Sequence, residues 1–91
     1  MQKPLVTMEN WAVVQNVISP SYEALQPGKH LMGYVFGHAR LPNRKFIYTS
    51  PILRVNINER LVETLNTVYQ LGEASDDYKT WEREQKKGAA A

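Results

Sequence analysis

The side chains that could carry out chemistry are few, and they are spaced too far apart to form a site unaided. The chain contains two histidines, His30 and His38, and a regular strand between them would separate them by roughly 26 Å. There is no cysteine, so thiolate chemistry is excluded and a zinc site would need distant carboxylates. We therefore predict no metal site and no cofactor.

The hydroxyl and carboxyl groups form no catalytic pattern either. Ser50 stands between Thr49 and Pro51, which is typical of a strand end and not of a nucleophile elbow. Asp76 and Asp77 are adjacent at the start of a predicted helix, where interaction with the helix dipole explains them. We predict no catalytic residues, and we do not expect an enzyme.

Aromatic and basic residues are the side chains best suited to binding a partner. Large aromatic residues and arginines contribute most of the binding free energy at protein interfaces. The candidate partner-binding residues are Trp11, Tyr22, Arg40, Arg44, Lys45, Tyr78 and Trp81. Arg40, Arg44 and Lys45 lie in or beside one predicted turn, where most of the positive charge of residues 1–45 is concentrated.

The same basic turn supports a second hypothesis, binding of nucleic acid. Tyr34, Phe36 and Tyr48 lie near it in the predicted sheet, and small curled sheets that expose such residues stack bases and hold phosphates. The alternation of these aromatics is explained more simply by a face turned to the core. Nucleic acid is therefore the alternative partner class, after a protein.

Length and composition favour one small domain. The chain has 91 residues, 43% of them hydrophobic and 22% charged, with a net charge of +2. We predict a single domain over residues 1–87, followed at 88–91 by a disordered tail or cloning remnant. So short a domain has a modest core, which leaves a homodimer as an open alternative.

The compartment is predicted from what the composition excludes. The lack of cysteine fits a reducing environment. No apolar run approaches the roughly 20 residues that a membrane-spanning helix requires. We therefore expect a cytoplasmic protein that does not enter a membrane.

The periodicity predicts four strands, over residues 10–18, 30–39, 46–56 with a kink at Pro51, and 61–71. Gly33 and Gly37 lie on one face of the second strand, where glycine marks a bend or the close approach of another backbone. The expected fold is α+β and mostly β, a curled antiparallel sheet or small barrel of four to five strands with one C-terminal helix.

The predicted helix covers residues 76–86. Ser75 is a suitable N-cap, and Lys86 and Lys87 lie near the end, where positive charge is favourable. Its large apolar residues, Tyr78 and Trp81, share one face. Docking of this face on the chain's own sheet is favoured over insertion into a partner, because so polar a helix would not fold alone.

Several short segments resemble a known group of sequences. They are WAVV from Trp11, GYVFGHA from Gly33, YTSPI from Tyr48, VETLNTVYQLGE from Val62 and YKTW from Tyr78. They are spread over residues 11–81, which is most of the chain, and they resemble a family of small uncharacterised proteins encoded by bacteriophages and prophages. The family has no established activity, so the resemblance transfers no functional residues.

The resemblance does imply a setting. Small phage accessory proteins without catalytic residues often inhibit host systems by covering a surface of a host protein, as anti-CRISPR proteins do. The leading functional hypothesis is accordingly a non-enzymatic phage or prophage protein that binds and inhibits or modulates a host protein in the bacterial cytoplasm. The alternative is a small accessory or regulatory protein that binds nucleic acid.

Overall fold

The fold is an open, six-stranded sheet followed by one helix. The computed structural model describes residues 3–90, with side chains through Lys86. The elements are β1 (Leu5–Val14), β2 (His30–Phe36), β3 (Lys45–Tyr48), β4 (Arg54–Asn56), β5 (Leu61–Glu63), β6 (Val68–Leu71) and α1 (Asp76–Ala90). Their order in the sheet is β3-β2-β1-β6-β5-β4.

The sheet is mixed, because its two central strands are parallel. Leu5 of β1 pairs with Val68 of β6, and Met8 pairs with Leu71, while the other neighbouring strands are antiparallel. The prediction of a mostly β chain with a C-terminal helix is confirmed. The prediction of four to five antiparallel strands in a curled sheet or barrel is wrong, since the sheet has six strands and stays open.

The first strand begins and ends earlier than the sequence predicts. β1 contains a bulge between Glu9 and Ala12, and Asn10 there has a φ of 54°, a left-handed conformation that asparagine tolerates better than most residues. The predicted last part, residues 15–18, leaves the sheet. A turn replaces it, in which Ser19 N–H donates to Asn16 Oδ1 at 2.6 Å.

The predicted kinked strand at 46–56 is instead two strands at opposite edges of the sheet. β3 forms one edge and β4 forms the other, so the segment around Pro51 crosses from one side to the other. Ile52 anchors this crossing, because its side chain is buried and its N–H donates to Lys29 O at 2.7 Å. Proline suits such a connection because it has no N–H to leave unpaired.

The predicted strand at 61–71 is a hairpin of β5 and β6. Thr64 closes its turn, since its N–H and its hydroxyl both donate to Thr67 O, at 2.8 Å and 3.1 Å. The turn reverses the alternation of side chains, so that Val62 pairs with Tyr69 and both are buried. Leu65 lies in the turn and is exposed.

One face of the sheet carries the core. Leu31 and Val35 of β2 lie on this inner face, opposite Val13 and Met8 of β1, and all four are fully buried. Gly33 lies between them, where an added Cβ would be 3.0 Å from Trp11 Cα and 2.9 Å from Met8 Cγ. The predicted close approach of a backbone at Gly33 is therefore confirmed.

The helix begins as the sequence predicts and extends further. Tyr78 N–H donates to Ser75 Oγ at 3.1 Å, the hydrogen bond of an N-cap. The helix continues to Ala90, beyond the predicted end at Lys86. Of the predicted tail at 88–91, Ala91 and the side chains of 88–90 lie outside the described residues. No helix within residues 3–90 is long and apolar enough to cross a membrane.

Candidate functional site

Four of the seven candidate partner-binding residues form one internal aromatic cluster, which consists of Trp11, Tyr22, Tyr78 and Trp81. The ring centroids of Tyr78 lie 5.5 Å from Trp11, 5.4 Å from Tyr22 and 5.5 Å from Trp81. Tyr78 is therefore the centre of the cluster, and α1 docks on the sheet through it, as the sequence predicts.

The cluster packs the helix against the sheet, and the rings of Tyr78 and Trp11 are not accessible to a partner. Tyr78 is fully buried and Trp11 is 7% exposed, while Tyr22 and Trp81 are half-buried. The Tyr78 hydroxyl donates to Glu23 O at 2.5 Å, and Trp11 Nε1 donates to Gly72 O at 3.0 Å. Burial raises the pKa of Tyr78 far above its ordinary value. Trp11 and Tyr78 could reach a partner only if the helix came away.

The other three candidates lie together on the connection between β2 and β3. Arg40, Arg44 and Lys45 are all exposed. The turn is fixed by its backbone, because Arg44 N–H donates to Val35 O at 2.9 Å and Gly37 N–H donates to Asn43 Oδ1 at 2.9 Å. These bonds order the main chain of the turn and do not involve the three cationic side chains.

Beside these cations lies a feature that the list of candidate residues omitted. Tyr34 of β2 pairs with Phe46 of β3, and Met32 pairs with Tyr48. Residues directly opposite one another share a face, so Tyr34, Phe46 and Tyr48 lie on the same side of the sheet, which we call the aromatic row. Adjacent centroids are 5.2 Å and 5.5 Å apart, and the rings meet edge to face.

The aromatic row lies on the open face of the sheet. Tyr34, Phe46 and Tyr48 are 37%, 39% and 41% exposed. The sequence favours a core face for Tyr34, Phe36 and Tyr48, and this prediction is wrong, since Tyr34 and Tyr48 are exposed and Phe36 is half-buried. The small residues of the same strands take the inner face, because β1 approaches Gly33 too closely for a large side chain. Gly33 was thus the signal in the sequence that could have identified the exposed face.

The surroundings of the row are positively charged. No aspartate or glutamate occurs between Glu23 and Glu59, a segment that includes β2, β3 and β4. Lys29 and Arg54 in that segment form ion pairs with Glu23 and Glu63, at 3.5 Å and 3.7 Å. Within the described side chains, Arg40, Arg44 and Lys45 have no carboxylate within ion-pair distance.

A second surface feature lies at the other side of the sheet. An apolar groove of about 290 Å³ opens beside the β4–β5 turn. We call it the apolar groove, and its apolar walls come from Trp11, Leu25, Val55, Ile57, Leu61, Val62 and Leu71. Ile57 is 75% exposed, so a large apolar side chain remains in contact with solvent there.

Neither a metal site nor a known relative directs the functional assignment. Among the described side chains, no three histidine, aspartate or glutamate residues are grouped as metal ligands. No family model, curated protein or solved structure matches the chain significantly. The aromatic row and its unpaired cations are consequently the surface from which a function has to be argued.

Proposed function

We propose that this protein is a non-enzymatic accessory protein that binds single-stranded nucleic acid on the open face of its sheet. The observation that supports this proposal is the aromatic row, in which each of the three rings exposes more than a third of its surface. A folded protein gains stability by burying such rings, so exposed aromatics that are held in contact on a sheet indicate a binding surface.

The row suits bases that are not already stacked in a duplex. Aromatic side chains on a sheet bind unstacked bases through their flat faces, and each base contributes about 1–3 kcal/mol. Tyr34, Phe46 and Tyr48 are held at ring separations of 5.2 Å and 5.5 Å. Their mutual contacts fix the rings in place before the ligand arrives, which lowers the entropy lost on binding.

Arg44 supplies the complementary charge. It is exposed and directly precedes the strand that carries Phe46 and Tyr48, whereas Lys45 pairs with Val35 and lies on the other face of that strand. A cation that has no carboxylate partner on its own protein does not have to break an ion pair in order to bind a phosphate. The row with Arg44 therefore combines the two requirements of single-strand recognition, stacking and phosphate neutralisation.

The test is direct binding of fluorescein-labelled oligo(dT) and oligo(U), followed by fluorescence anisotropy. We expect the affinity for either oligomer to fall by about tenfold in F46L and in Y48L, since leucine keeps an apolar side chain but cannot stack. Ile18→Ala is the matched control, because Ile18 is 97% exposed and lies outside the row, in the connection between β1 and β2. It should leave the affinity unchanged.

The salt dependence tests the contribution of the cations. Each phosphate contact to a single strand contributes about −0.7 to the slope of log K against log salt concentration. R44N should make that slope shallower by about that amount, whereas K86Q, which removes an exposed charge from α1, should not. Absence of oligomer binding at low salt, or equal affinity in the leucine and wild-type proteins, would refute the proposal.

A second candidate function is binding of a host protein, and the apolar groove favours it. An apolar groove beside an exposed isoleucine can receive an apolar side chain of a protein partner. Such an interface would cover a surface of a host protein without any catalysis. This is the mode of action expected for an inhibitor of host defence, such as an anti-CRISPR protein.

Nuclease treatment separates the two candidates. The tagged protein is used to capture its partner from host lysate, with and without nuclease, in the wild type and in I57D and F46L. A protein partner should survive nuclease and be lost in I57D. A nucleic-acid partner should disappear with nuclease and be weakened in F46L.

The biological setting belongs to the same proposal. The segment resemblance described above supports a bacteriophage or prophage origin, and the absence of cysteine is compatible with the bacterial cytoplasm as the place of action. A single-strand-binding protein could act there by covering nucleic acid that a host system has to reach.

A further inference from the structure

A groove of about 840 Å³ lies beyond the end of β2, between the start of the chain and two turns. Its walls include Lys3, His38, Arg40, Leu65, Asn66 and Thr67, and none of its lining residues is acidic. We call it the terminal groove. Pro4, Val6 and Ala39 also line it, so it differs from the apolar groove in combining apolar walls with hydrogen-bond donors.

The donors of the terminal groove are free to bind a ligand. Arg40 N–H donates to His38 Nδ1 at 3.0 Å, so the neutral imidazole carries its proton on Nε2, where it can be donated. Arg40 itself has no carboxylate within ion-pair distance among the described side chains. Asn66 is exposed and adds an amide donor.

The one carboxylate close to this groove is already neutralised. Lys3 Nζ donates to Glu63 Oε2 at 2.6 Å and to Thr64 O at 2.8 Å. The hydrogen bond from Lys3 holds the pKa of Glu63 below its ordinary value, so this carboxylate stays ionised and paired. The terminal groove therefore offers His38, Arg40 and Asn66 to an anion with no free carboxylate to repel it.

The aromatic row lies close to the terminal groove along the chain. Tyr34 belongs to the row and Phe36 follows on the same face, where β2 ends. Gly37 then bends the chain with a φ of 77°, and His38 follows it. Four extended residues span at most about 13 Å, so His38 lies within that distance of Tyr34, which a short extension of a bound strand can cover.

We infer that a single strand bound on the aromatic row continues into the terminal groove, where Arg40, His38 and Asn66 bind a backbone phosphate. This inference rests on the proposed function. It deepens it by naming a second part of the site and by setting a minimum length for a tightly bound ligand, which must reach both the stacking surface and the groove.

A length series of oligo(dT) tests this, with lengths of 3, 6, 9 and 12 nucleotides and no terminal phosphate. Wild-type affinity should rise in a step once the oligomer is long enough to span row and groove. R40Q and N66A should remove this step, with a loss of about fivefold to tenfold for long oligomers, and should leave the affinity for the 3-mer unchanged. K86Q is the charge-matched control and should retain the step.

The outcomes distinguish the inference from the proposed function. If R40Q weakens all lengths equally or none, while F46L weakens all of them, the row binds nucleic acid and the groove does not. If no oligomer binds wild-type protein at any length, the proposed function and the inference are both refuted. Thermal unfolding of R40Q and N66A, which should match that of the wild type, ensures that a lost step reports a lost contact.

Discussion

At the scale of single residues, Gly33 marks the point where β1 leaves no room for a side chain on the inner face of β2. Its position next to the β1 bulge leaves no room for a side chain, since an added Cβ would be 3.0 Å from Trp11 Cα and 3.1 Å from Glu9 O. Both of these neighbours are backbone atoms, which cannot rotate away as the end of a side chain can. The lack of a side chain on the inner face at Gly33 and the large aromatic side chains on the outer face therefore both follow from the close contact between β1 and Gly33.

The first prediction concerns this glycine. Gly33→Ala should lower the free energy of unfolding by about 1–3 kcal/mol, because overpacking forces the backbones of β1 and β2 apart. Urea denaturation measures it. Gly37→Asn is the control, because Gly37 has a φ of 77° and open space where a Cβ would lie, and asparagine tolerates that conformation. A smaller loss in G33A than in G37N would contradict this account.

Residue-level predictions from the sequence succeeded where the cause is local. The N-cap at Ser75 was predicted correctly, because an N-cap depends on a few neighbouring residues. At Gly33 the sequence left a bulge, a bend and a close approach open, and the structure shows the close approach. The core face favoured for Tyr34, Phe36 and Tyr48 was wrong. Burial of one face or the other depends on what packs against the sheet, and alternation alone does not report it.

At the scale of elements, α1 is attached to the sheet by a single buried ring. Tyr78 is fully buried among Trp11, Tyr22 and Trp81, and its hydroxyl bonds to Glu23 O. The rest of the described helix surface is largely exposed and charged. Without this docking, a helix of this composition would be only marginally stable in water.

The second prediction is that the helix is part of the folded unit. Deletion of residues 75–91 should unfold the protein, measured as loss of the cooperative thermal transition by circular dichroism, because Trp11 and Tyr22 would lose the Tyr78 ring that packs against them. A chain ending at Lys86 keeps Tyr78 and Trp81 and should unfold within a few degrees of the full-length protein. A cooperative transition in the shorter chain would show that the helix is dispensable.

The third prediction concerns the N-cap of the helix. Ser75→Ala should lower the free energy of unfolding by about 1 kcal/mol, since it removes the hydrogen bond from Tyr78 N–H and leaves the burial of Tyr78 intact. Ser75→Asp restores a capping oxygen and should recover most of the loss. Equal destabilisation by alanine and aspartate would mean that the cap contributes little.

The strand boundaries illustrate which elements a sequence can reveal. Residues 61–71 contain no glycine or proline, and Asn66 was their only conventional turn residue, so the turn at Leu65 and Asn66, closed by Thr64 hydrogen bonds, was signalled weakly. Val17 and Ile18 are strand-forming types, yet they lie outside the strands, in the bend that follows β1. Strand formation requires a neighbour, and the neighbour is determined by the whole chain.

At the scale of the whole molecule, buried tyrosines couple stability to alkaline pH. Burial raises the pKa of Tyr78 and of Tyr69 above the ordinary value near 10. Each phenol is therefore protonated in the folded protein at pH values where it ionises in the unfolded chain. The resulting stabilisation is fully present below pH 10 and is lost as the pH rises above it.

The fourth prediction follows from this linkage. The free energy of unfolding, measured by urea denaturation between pH 8 and pH 11, should be flat up to about pH 9.5 and should then fall. Y78F removes one of the two titrating groups, so its curve should start lower, because the bond to Glu23 O is lost, and should fall less steeply. Parallel curves for Y78F and the wild type would refute the assignment.

The topology of the molecule was the part least accessible from the sequence. The mostly β composition and the terminal helix were predicted, whereas the parallel pairing of Leu5 with Val68 was not. Hydrophobic periodicity describes each strand by itself and says nothing of which strands become neighbours. The placement of β3 and β4 at opposite edges escaped prediction for the same reason.

The parallel pairing of β1 and β6 also affects how the chain can fold during synthesis. The strand made first occupies the middle of the sheet, and its neighbour on one side is the strand made last. The central ladder cannot close until Leu71 has been translated, and contacts between such distant segments slow folding. Until then one edge of β1 stays unpaired in the nascent chain, where it is open to aggregation or to protection by a chaperone.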